Sequence, residues 1–259
     1  MQKWKWAVNK FLEHWEEDES VIGALVCGSY VTGSPSPHSD IDVHILLKAG
    51  TNWRERGNLI IENYLIEYFI NPPEQIRSYF LEDYEDRRSH AAVQFATGEI
   101  LFDRFGTVEQ LRQEGESWLK KEYKIMNSTA IELMKYSIWD TLDNLQDAYE
   151  KGSQDYHFVY SHSLSDLFNA YCHFLNIETI PPYQVKPYLS EQNFLTKYRK
   201  SAFPDEFFSR KFQRALKLSH RDEMMAIYHQ LAEYVLLKMG DFQINGWKMR
   251  SPINLRENT

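Results

Sequence analysis

The stretch that decides the fold is VIGALVCGSYVTGSPSPHSDIDVHILL, residues 21–47. Its first seven residues, 21–27, are apolar or small and predict a buried strand that ends at Gly28-Ser29. A loop rich in Gly, Ser and Pro follows, and its prolines prevent a long helix. A second apolar segment, residues 41–47, then predicts another strand. The stretch therefore reads as strand, tight turn, loop and strand.

Two aspartates open the second strand at alternate positions, as Asp40-Ile41-Asp42. Side chains at i and i+2 on a strand point to the same face, so these carboxylates are expected side by side, near Gly28-Ser29. Adjacent carboxylates repel each other unless a cation lies between them, and Mg²⁺ is an oxygen-seeking cation that proteins share with substrate phosphates. The pattern predicts a metal–nucleotide site. An isolated Asp-x-Asp is more often a solvated turn, so the prediction depends on the complete ordered pattern.

The complete pattern resembles the nucleotidyltransferase superfamily, whose members share their palm fold with DNA polymerase beta. It is most similar to the aminoglycoside nucleotidyltransferases, in particular the streptomycin/spectinomycin adenylyltransferases, which carry a Gly-Ser loop, a Pro-His-Ser run and Asp-Ile-Asp. The residues that carry the resemblance are Gly28, Ser29, Pro37, His38, Ser39, Asp40, Ile41 and Asp42. The likeness is strong over a segment of about twenty residues that contains these positions, and it is looser over the first hundred or so residues.

The resemblance implies transfer of an NMP group from ATP or another NTP to an acceptor, with release of pyrophosphate. Two metal ions about 3.5–4 Å apart can hold the attacking and leaving oxygens of such a displacement. Asp40 and Asp42 are the predicted Mg²⁺ ligands. Gly28 and Ser29 are the predicted phosphate-binding residues, because glycine permits close backbone approach and serine offers a hydroxyl and an amide. Ser39 is a further predicted donor to the nucleotide. The alternative for Gly28-Ser29 is an ordinary strand-ending turn.

A third carboxylate is expected on a neighbouring strand, facing the same way. Glu67 is the best candidate, since it is the one charged residue in the apolar segment 65–70 and a lone acid there is costly unless paired, metal-bound or solvated. In the resembling adenylyltransferases a carboxylate at this place serves as metal ligand or as base toward the acceptor hydroxyl. Glu62 is the fallback, although its odd separation from Glu67 places it on the opposite face of a continuous strand. A solvated Glu67 is the alternative without function.

Basic groups for the triphosphate are expected from the helical half. Lys186 is the leading candidate, because the adenylyltransferases carry a lysine after a proline-containing turn there; an ordinary surface lysine is the alternative. Arg87 and Arg88 are weaker candidates. His38 is interpreted as structural. His44 shares the strand parity of the two aspartates, so it is expected to line the cleft more deeply without binding metal.

Composition limits the function classes. The 259 residues carry a net charge of −8, which argues against a general nucleic-acid binder and is compatible with a cationic small substrate. Two cysteines give no disulfide framework, and no apolar run reaches the length of a membrane span, so we expect a cytoplasmic protein that does not bind membranes.

The predicted fold class is α/β (α+β), with a nucleotidyltransferase domain containing a short mixed sheet over residues 1–122 and an α-helical bundle over residues 123–259. A first helix is predicted over 4–15, a loop over 52–57, a strand over 59–70, a helix over 73–80, an exposed charged segment over 82–90 and an edge strand over 98–103. Helices are also predicted over 107–121, 128–150, 156–175, 183–200, 205–218 and 220–239.

The predicted function is Mg²⁺-dependent adenylyl transfer to a hydroxyl of a small acceptor, such as an aminoglycoside-like antibiotic. Two alternatives stay open: AMP transfer to a protein side chain, and a non-catalytic nucleotide-binding or antitoxin-like regulatory module. The three acids favour the enzyme. A monomer and a homodimer are both compatible with the sequence, whereas a nucleic-acid partner is not expected.

Overall fold

The computed structural model describes residues 3–33 and 35–250. Its strands are β1 (Val21–Cys27), β2 (Ile41–Leu47), β3 (Glu55–Ile61), β4 (Tyr64–Asn71) and β5 (Glu99–Asp103). Its helices are α1 (Lys3–Glu16), α2 (Ser29–Thr32), α3 (Pro73–Glu85), α4 (His90–Thr97), α5 (Thr107–Trp118), α6 (Ser128–Glu150), α7 (Tyr156–Phe174), α8 (Pro182–Ser190), α9 (Gln192–Lys197), α10 (Glu206–Ala215) and α11 (Arg221–Lys238). The predicted fold class, a mixed sheet with helices followed by a helical region, is confirmed.

The five strands form one mixed sheet in the order β3-β4-β2-β1-β5. β2 is the middle strand and pairs antiparallel with β1 and parallel with β4, and β1 also pairs antiparallel with the edge strand β5. Two adjacent parallel strands need a crossover connection between them. The connection from β2 to β4 contains β3, which pairs antiparallel with β4 on the side away from β2. The apolar runs of β1 and β2 are buried because both faces of the sheet are covered.

Alternation along the strands builds two apolar layers. On one face, Val43 and Ile45 of β2 pack with α1, which contributes Trp4, Val8 and Phe11. On the other face, strand residues including Leu25 and Leu46 pack against α3, α4 and α5. Asp42 has the opposite parity to Val43, so its side chain lies on the α3–α4 side of the sheet.

The prediction of one strand over residues 59–70 is wrong. A tight turn at Glu62 and Asn63, with φ of 50° and 67°, divides this segment into the antiparallel hairpin β3–β4. Two consecutive positive φ values are typical of a two-residue hairpin turn, and Asn tolerates that conformation well. The predicted loop over 52–57 is also wrong in part, because β3 begins at Glu55. The sequence pattern suggested one continuous buried strand because this hairpin contains apolar residues that are in fact exposed, namely Leu59, Ile60 and Leu65.

The predicted ends of several helices differ from the structure by a few residues, and two differences are larger. α3 continues to Glu85, through half of the segment predicted to be merely exposed and charged. The helix predicted over 183–200 is two short helices, α8 and α9, which meet at Glu191.

The chain forms two compact units. The first contains Met1–Tyr123 and Glu178–Ala202; the second contains Lys124–Ile177 and Phe203–Thr259, and its described elements are all helices. This division differs from the single boundary predicted after residue 122, because the chain returns to the first unit at Glu178. There the Glu178 carboxylate accepts hydrogen bonds from Lys200 Nζ and Ser89 Oγ, both at 2.6 Å. No helix in the described ranges is both long and apolar enough to cross a bilayer.

Candidate active site

Three carboxylates converge on the α3–α4 side of the sheet. Asp42 of β2 lies directly beside Glu67 of the parallel strand β4, and Asp40 immediately precedes the first residue of β2. Each of the three offers an oxygen atom within 4.8 Å of the others. The pairing of β2 with β4, together with the residue that leads into β2, therefore brings together the residues predicted as metal ligands.

Gly28 turns the chain against this cluster. Its φ of 79° and ψ of −158° lie in a region that only glycine adopts readily. β1 pairs Cys27 with Asp42, so the residue after Cys27 passes next to the Asp42 carboxylate. A Cβ atom on Gly28 would overlap with Asp42 Oδ2. Gly28, which is predicted to approach a phosphate, is therefore also needed because the Asp42 carboxylate leaves no space for a side chain at this position.

The segment between Gly28 and Asp40 is held by local hydrogen bonds. The Thr32 backbone N–H and hydroxyl both donate to the Gly28 carbonyl, at 3.1 and 3.0 Å. Ser39 Oγ accepts from the Ser36 backbone N–H at 2.8 Å, which stabilises the turn that leads into Asp40. Ser39 is thereby a support of the turn, and its predicted contact with the nucleotide stays a prediction. Ser29 is the first residue of α2, directly after Gly28, and its predicted contact with phosphate stays a prediction.

The cluster carries unfavourable negative charge. Burial, the Asp40 carboxylate and the Glu67 carboxylate raise the pKa of Asp42 to about 7, against a smaller lowering effect of the Arg56 guanidinium. A raised carboxyl pKa shows that the surroundings disfavour the ionised form. A divalent cation removes this penalty by pairing with the carboxylates, and oxygen atoms are the ligands that Mg²⁺ prefers. The donor set therefore fits Mg²⁺.

Arg56 is a site residue that the sequence prediction missed. Its Nε and Nη2 atoms both donate to Glu67 Oε1, at 3.0 and 2.5 Å, and its guanidinium lies 4.9 Å from the centre of the Phe69 ring. The β3–β4 register pairs Arg56 with Phe69, two residues from Glu67. Recognition of the hairpin turn at Glu62 would have placed Arg56 and Glu67 on one face. Arg56 fixes the orientation of Glu67.

His44 lies deeper on the same face, as expected. Its side chain is 4% exposed and is stacked on Phe69 with ring centres 5.0 Å apart, while Phe95 packs on it at 4.9 Å. Burial, with a smaller effect of the His90 charge, lowers the pKa of His44 to about 4, so the ring is neutral at pH 7. A hydrogen-bonding interaction with the Gln94 side chain opposes this lowering of the pKa, although its geometry is too poor to give either ring nitrogen a full hydrogen-bond partner among the described residues.

The remaining candidates lie elsewhere. Glu62 is exposed in the hairpin turn and takes no part in the cluster, so the fallback assignment is wrong. Lys186 is exposed on α8, and its role toward the triphosphate stays a prediction. Arg88 forms ion pairs with Asp86 at 2.6 Å and with Asp83 at 3.6 Å. Arg87 packs over the Tyr123 ring. His38 is exposed in the loop, compatible with a structural role.

The raised pKa of Asp42 predicts a specific pH dependence of stability. An unfolded aspartate has a pKa of about 3.9, so the folded chain binds this proton more tightly. The free energy of unfolding in EDTA should therefore fall as the pH rises from about 4 to about 7, by on the order of 2 kcal/mol after allowance for partial exposure. Asp42→Asn should lack this contribution. His44 contributes with the opposite sign in both proteins, so the difference between them isolates Asp42.

Mg²⁺ competes with the proton on Asp42, so MgCl₂ should raise the melting temperature more at pH 8 than at pH 5. Denaturation of wild type and Asp42→Asn at both pH values, with EDTA or MgCl₂, measures this effect. Equal responses of the two proteins to MgCl₂ at pH 8 would contradict a cation site at Asp42.

Comparison with known proteins assigns the family. A family model described as a nucleotidyltransferase domain matches residues 8–139, just over half of the chain, and this range contains the whole carboxylate cluster. A solved structure of a nucleotidyltransferase-like protein from Exiguobacterium sibiricum 255-15 is 10% identical, with 91% of this chain and 75% of that chain covered at a TM-score of 0.47. No curated protein matches. On the strength of the family model, this chain belongs to the nucleotidyltransferase-domain family.

Proposed function

We propose that this protein is a Mg²⁺-dependent nucleotidyltransferase that moves AMP from ATP to a hydroxyl group of a small acceptor, such as an aminoglycoside-like antibiotic, with release of pyrophosphate. The observation that carries the proposal is the convergence of Asp40, Asp42 and Glu67 within 4.8 Å beside the Gly28 turn. Three carboxylates so close together are costly without a cation, and they lie within the range matched by the family model.

Each residue has a role in this reaction. Asp40 and Asp42 would hold Mg²⁺, which when bound supplies positive charge to the triphosphate oxygens. The Gly28-Ser29 backbone and the Ser29 hydroxyl would donate to the phosphates, with Lys186 as the proposed cation. Glu67 would either complete the metal-binding set or accept the proton of the acceptor hydroxyl. Arg56 holds the Glu67 carboxylate by two hydrogen bonds to one oxygen, which orients it for either role.

The proposed reaction needs no reactant other than ATP and the acceptor. The acceptor oxygen forms a bond to the α-phosphorus of ATP, and the bond from that phosphorus to the α–β bridging oxygen breaks. Pyrophosphate leaves with the electron pair, and the hydroxyl proton passes to a base, for which Glu67 is the proposed group.

Transfer of AMP to a protein side chain is the second candidate, and it uses the same cluster with a different acceptor. A non-catalytic nucleotide-binding module is the third. The retention of all three acids in one cluster favours turnover over this third candidate.

The test is Mg²⁺-dependent pyrophosphate release from ATP, measured with a panel of aminoglycosides and aminocyclitols. We expect release that requires Mg²⁺, an acceptor and Asp40, with Asp40→Asn inactive. A mass increase on a partner polypeptide instead of a small molecule would support the second candidate. Mg–ATP that neither binds nor turns over would contradict the proposal.

A further inference from the structure

The strand β3 forms an open edge of the sheet in the first unit. The two-residue turn at Glu62 and Asn63 makes Ile61 and Tyr64 a hydrogen-bonded pair. Every second residue before Ile61 therefore directs its N–H and C=O groups away from β4. Among the described residues, no backbone hydrogen bond reaches these outward groups. The edge is thus a row of donors and acceptors that a further strand can join.

Aliphatic side chains lie along this open edge. Ile60 is 71% exposed and Leu59 is 48% exposed. Leu65, which lies opposite Ile60 on β4, is 40% exposed. Leu59 and Ile60 are consecutive in the strand, so the exposed apolar surface extends over both faces of the hairpin. Neighbouring exposed aliphatic side chains, unlike scattered ones, are typical of an interaction site.

β3 lacks the features by which edge strands usually avoid pairing with another chain. It contains neither lysine nor proline, and its register with β4 is continuous over seven residue pairs. The opposite edge strand, β5, has only five residues, and its register with β1 shifts once. Its first residue, Glu99, also forms an ion pair with Lys5 at 2.6 Å. The open edge of β3 is therefore the more suitable of the two for association.

We propose that β3 is the contact surface of a homodimer, in which β3 of one copy pairs antiparallel with β3 of a second copy. Two identical strand edges complement each other in this arrangement, because an antiparallel pair of identical strands is related by a two-fold axis. Pairing satisfies the outward backbone groups of both copies and buries their exposed aliphatic side chains. The dimer is independent of the proposed reaction.

The charges of the hairpin favour a second copy with Leu59 on the two-fold axis. Arg56 of each copy then lies opposite Glu62 of the other. Asn58 lies opposite Ile60, and both direct their backbone groups to the open edge, so the hydrogen bonds of an antiparallel pair can form. An exposed ion pair contributes little stability by itself. The opposite charges therefore select the register, while the aliphatic side chains supply the stability.

The dimer contact lies next to the carboxylate cluster. Arg56 donates to Glu67 through Nε and Nη2, which leaves Nη1 for Glu62 of the second copy. The two-fold axis is perpendicular to the sheet, so both clusters lie on the same face of one ten-stranded sheet. The two β4 strands, which carry Glu67, are three strand spacings apart, or about 14 Å.

Sedimentation velocity of the full chain over a range of concentrations tests the dimer. We expect a reversible dimer with a Kd of about 1–100 μM, since the contact is small. Ile60→Lys places two lysines in the contact and should weaken dimerisation at least about tenfold. Leu237→Lys is the matched control, because Leu237 is 68% exposed on α11, and it should dimerise like the wild type. Both variants should melt close to the wild type, because both side chains are exposed.

Disulfide cross-linking tests the register. Leu59→Cys places a thiol on the two-fold axis, at a pair whose Cα atoms are about 4.5 Å apart, which is within the range of a disulfide. Oxidised glutathione should convert the two thiols to a covalent dimer and be reduced in turn. The wild type and Leu237→Cys should stay uncross-linked, since Cys27 and Cys172 are buried.

Each outcome decides the proposal. A chain that stays monomeric throughout overturns it and leaves the edge to a strand of another protein. A dimer that Ile60→Lys does not weaken, or that both lysine variants weaken equally, also overturns it, because the contact then lies elsewhere. A dimer that Ile60→Lys alone dissociates supports the β3 surface. Cross-linking of Leu59→Cys then supports the two-fold axis at this residue, and failure to cross-link overturns that register.

Discussion

Asp42→Asn should abolish nucleotidyl transfer while leaving the chain folded. The substitution keeps the shape of the side chain but removes the central charge of the cluster, which lies between Asp40 and the neighbouring strand residue Glu67. Charge stabilisation by a bound metal is worth several kcal/mol, and each 1.4 kcal/mol changes a rate about tenfold, so we expect a loss of about 10³-fold or more. The rate of pyrophosphate release with saturating Mg²⁺ and acceptor measures it.

The expected gain in stability distinguishes this result from unfolding. Because the pKa of Asp42 is raised to about 7, its ionised form is disfavoured in the folded chain, and Asp42→Asn should unfold at a higher temperature than wild type at pH 8 in EDTA. Glu62→Gln is a suitable control, since Glu62 is an exposed acid outside the cluster and should be neutral for both properties. An active Asp42→Asn enzyme would remove the basis for the proposed chemistry.

Gly28→Ala should lower both stability and nucleotide binding. Alanine at φ 79° and ψ −158° is strained by about 1–3 kcal/mol, and its methyl group would also displace the Asp42 carboxylate. Movement of that carboxylate would spoil the metal-binding geometry, so Mg–ATP should bind at least about tenfold more weakly, for which loss of about 1.4 kcal/mol suffices. Calorimetric titration of Mg–ATP and urea denaturation measure the two effects.

Gly33→Ala is the matched control for Gly28→Ala. Gly33 also has a positive φ, 85°, but a Cβ atom there meets no other atom within 4 Å. We expect it to cost about 1 kcal/mol of stability, from strain alone, and to leave Mg–ATP binding unchanged. Similar losses of Mg–ATP binding in both variants would show that backbone strain, and not the contact with Asp42, explains the requirement for glycine.

The carboxylate cluster could be predicted because it depends on one local rule. The spacing of Asp40 and Asp42 at the start of an apolar segment predicts that the two carboxylates lie close together, and a lone acid in an apolar strand marks Glu67. The sequence does not show that β2 pairs with β4. The prediction of the cluster does not depend on this pairing being parallel, because it requires only that Glu67 lies on a neighbouring strand and faces the same side as Asp42. The three side chains therefore come together although the prediction of one strand over residues 59–70 is wrong, and their role in metal binding stays a prediction.

The hairpin and its consequences could not be read in the same way. Residues 59–70 are apolar along most of their length, and the positive φ values at Glu62 and Asn63 are a property of the backbone that side-chain periodicity does not report. Arg56 was missed because its contact with Glu67 exists only after β3 folds back on β4. The return of Glu178–Ala202 to the first unit likewise depends on tertiary contacts, such as the Glu178–Lys200 ion pair.

The surroundings of His44 also depend on tertiary contacts that the sequence does not show. His44 could be placed on the cleft face by parity, but its lack of a hydrogen-bond partner depends on how Phe69 and Phe95 pack around it. The hydrogen bonding of the His44 ring could not be inferred from the sequence, because a histidine within an apolar strand is usually a core residue whose ring nitrogens have partners.

Asp40, Asp42 and Glu67 are the proposed ligands of the catalytic metal. The most direct measurement is anomalous diffraction from crystals of the full chain grown with Mn²⁺ and a non-hydrolysable ATP analogue. We expect an anomalous peak bound by oxygens of all three carboxylates, with the analogue's phosphates between that peak and the Gly28-Ser29 turn. A nucleotide bound elsewhere, or saturating Mn²⁺ with no peak at these carboxylates, would contradict it.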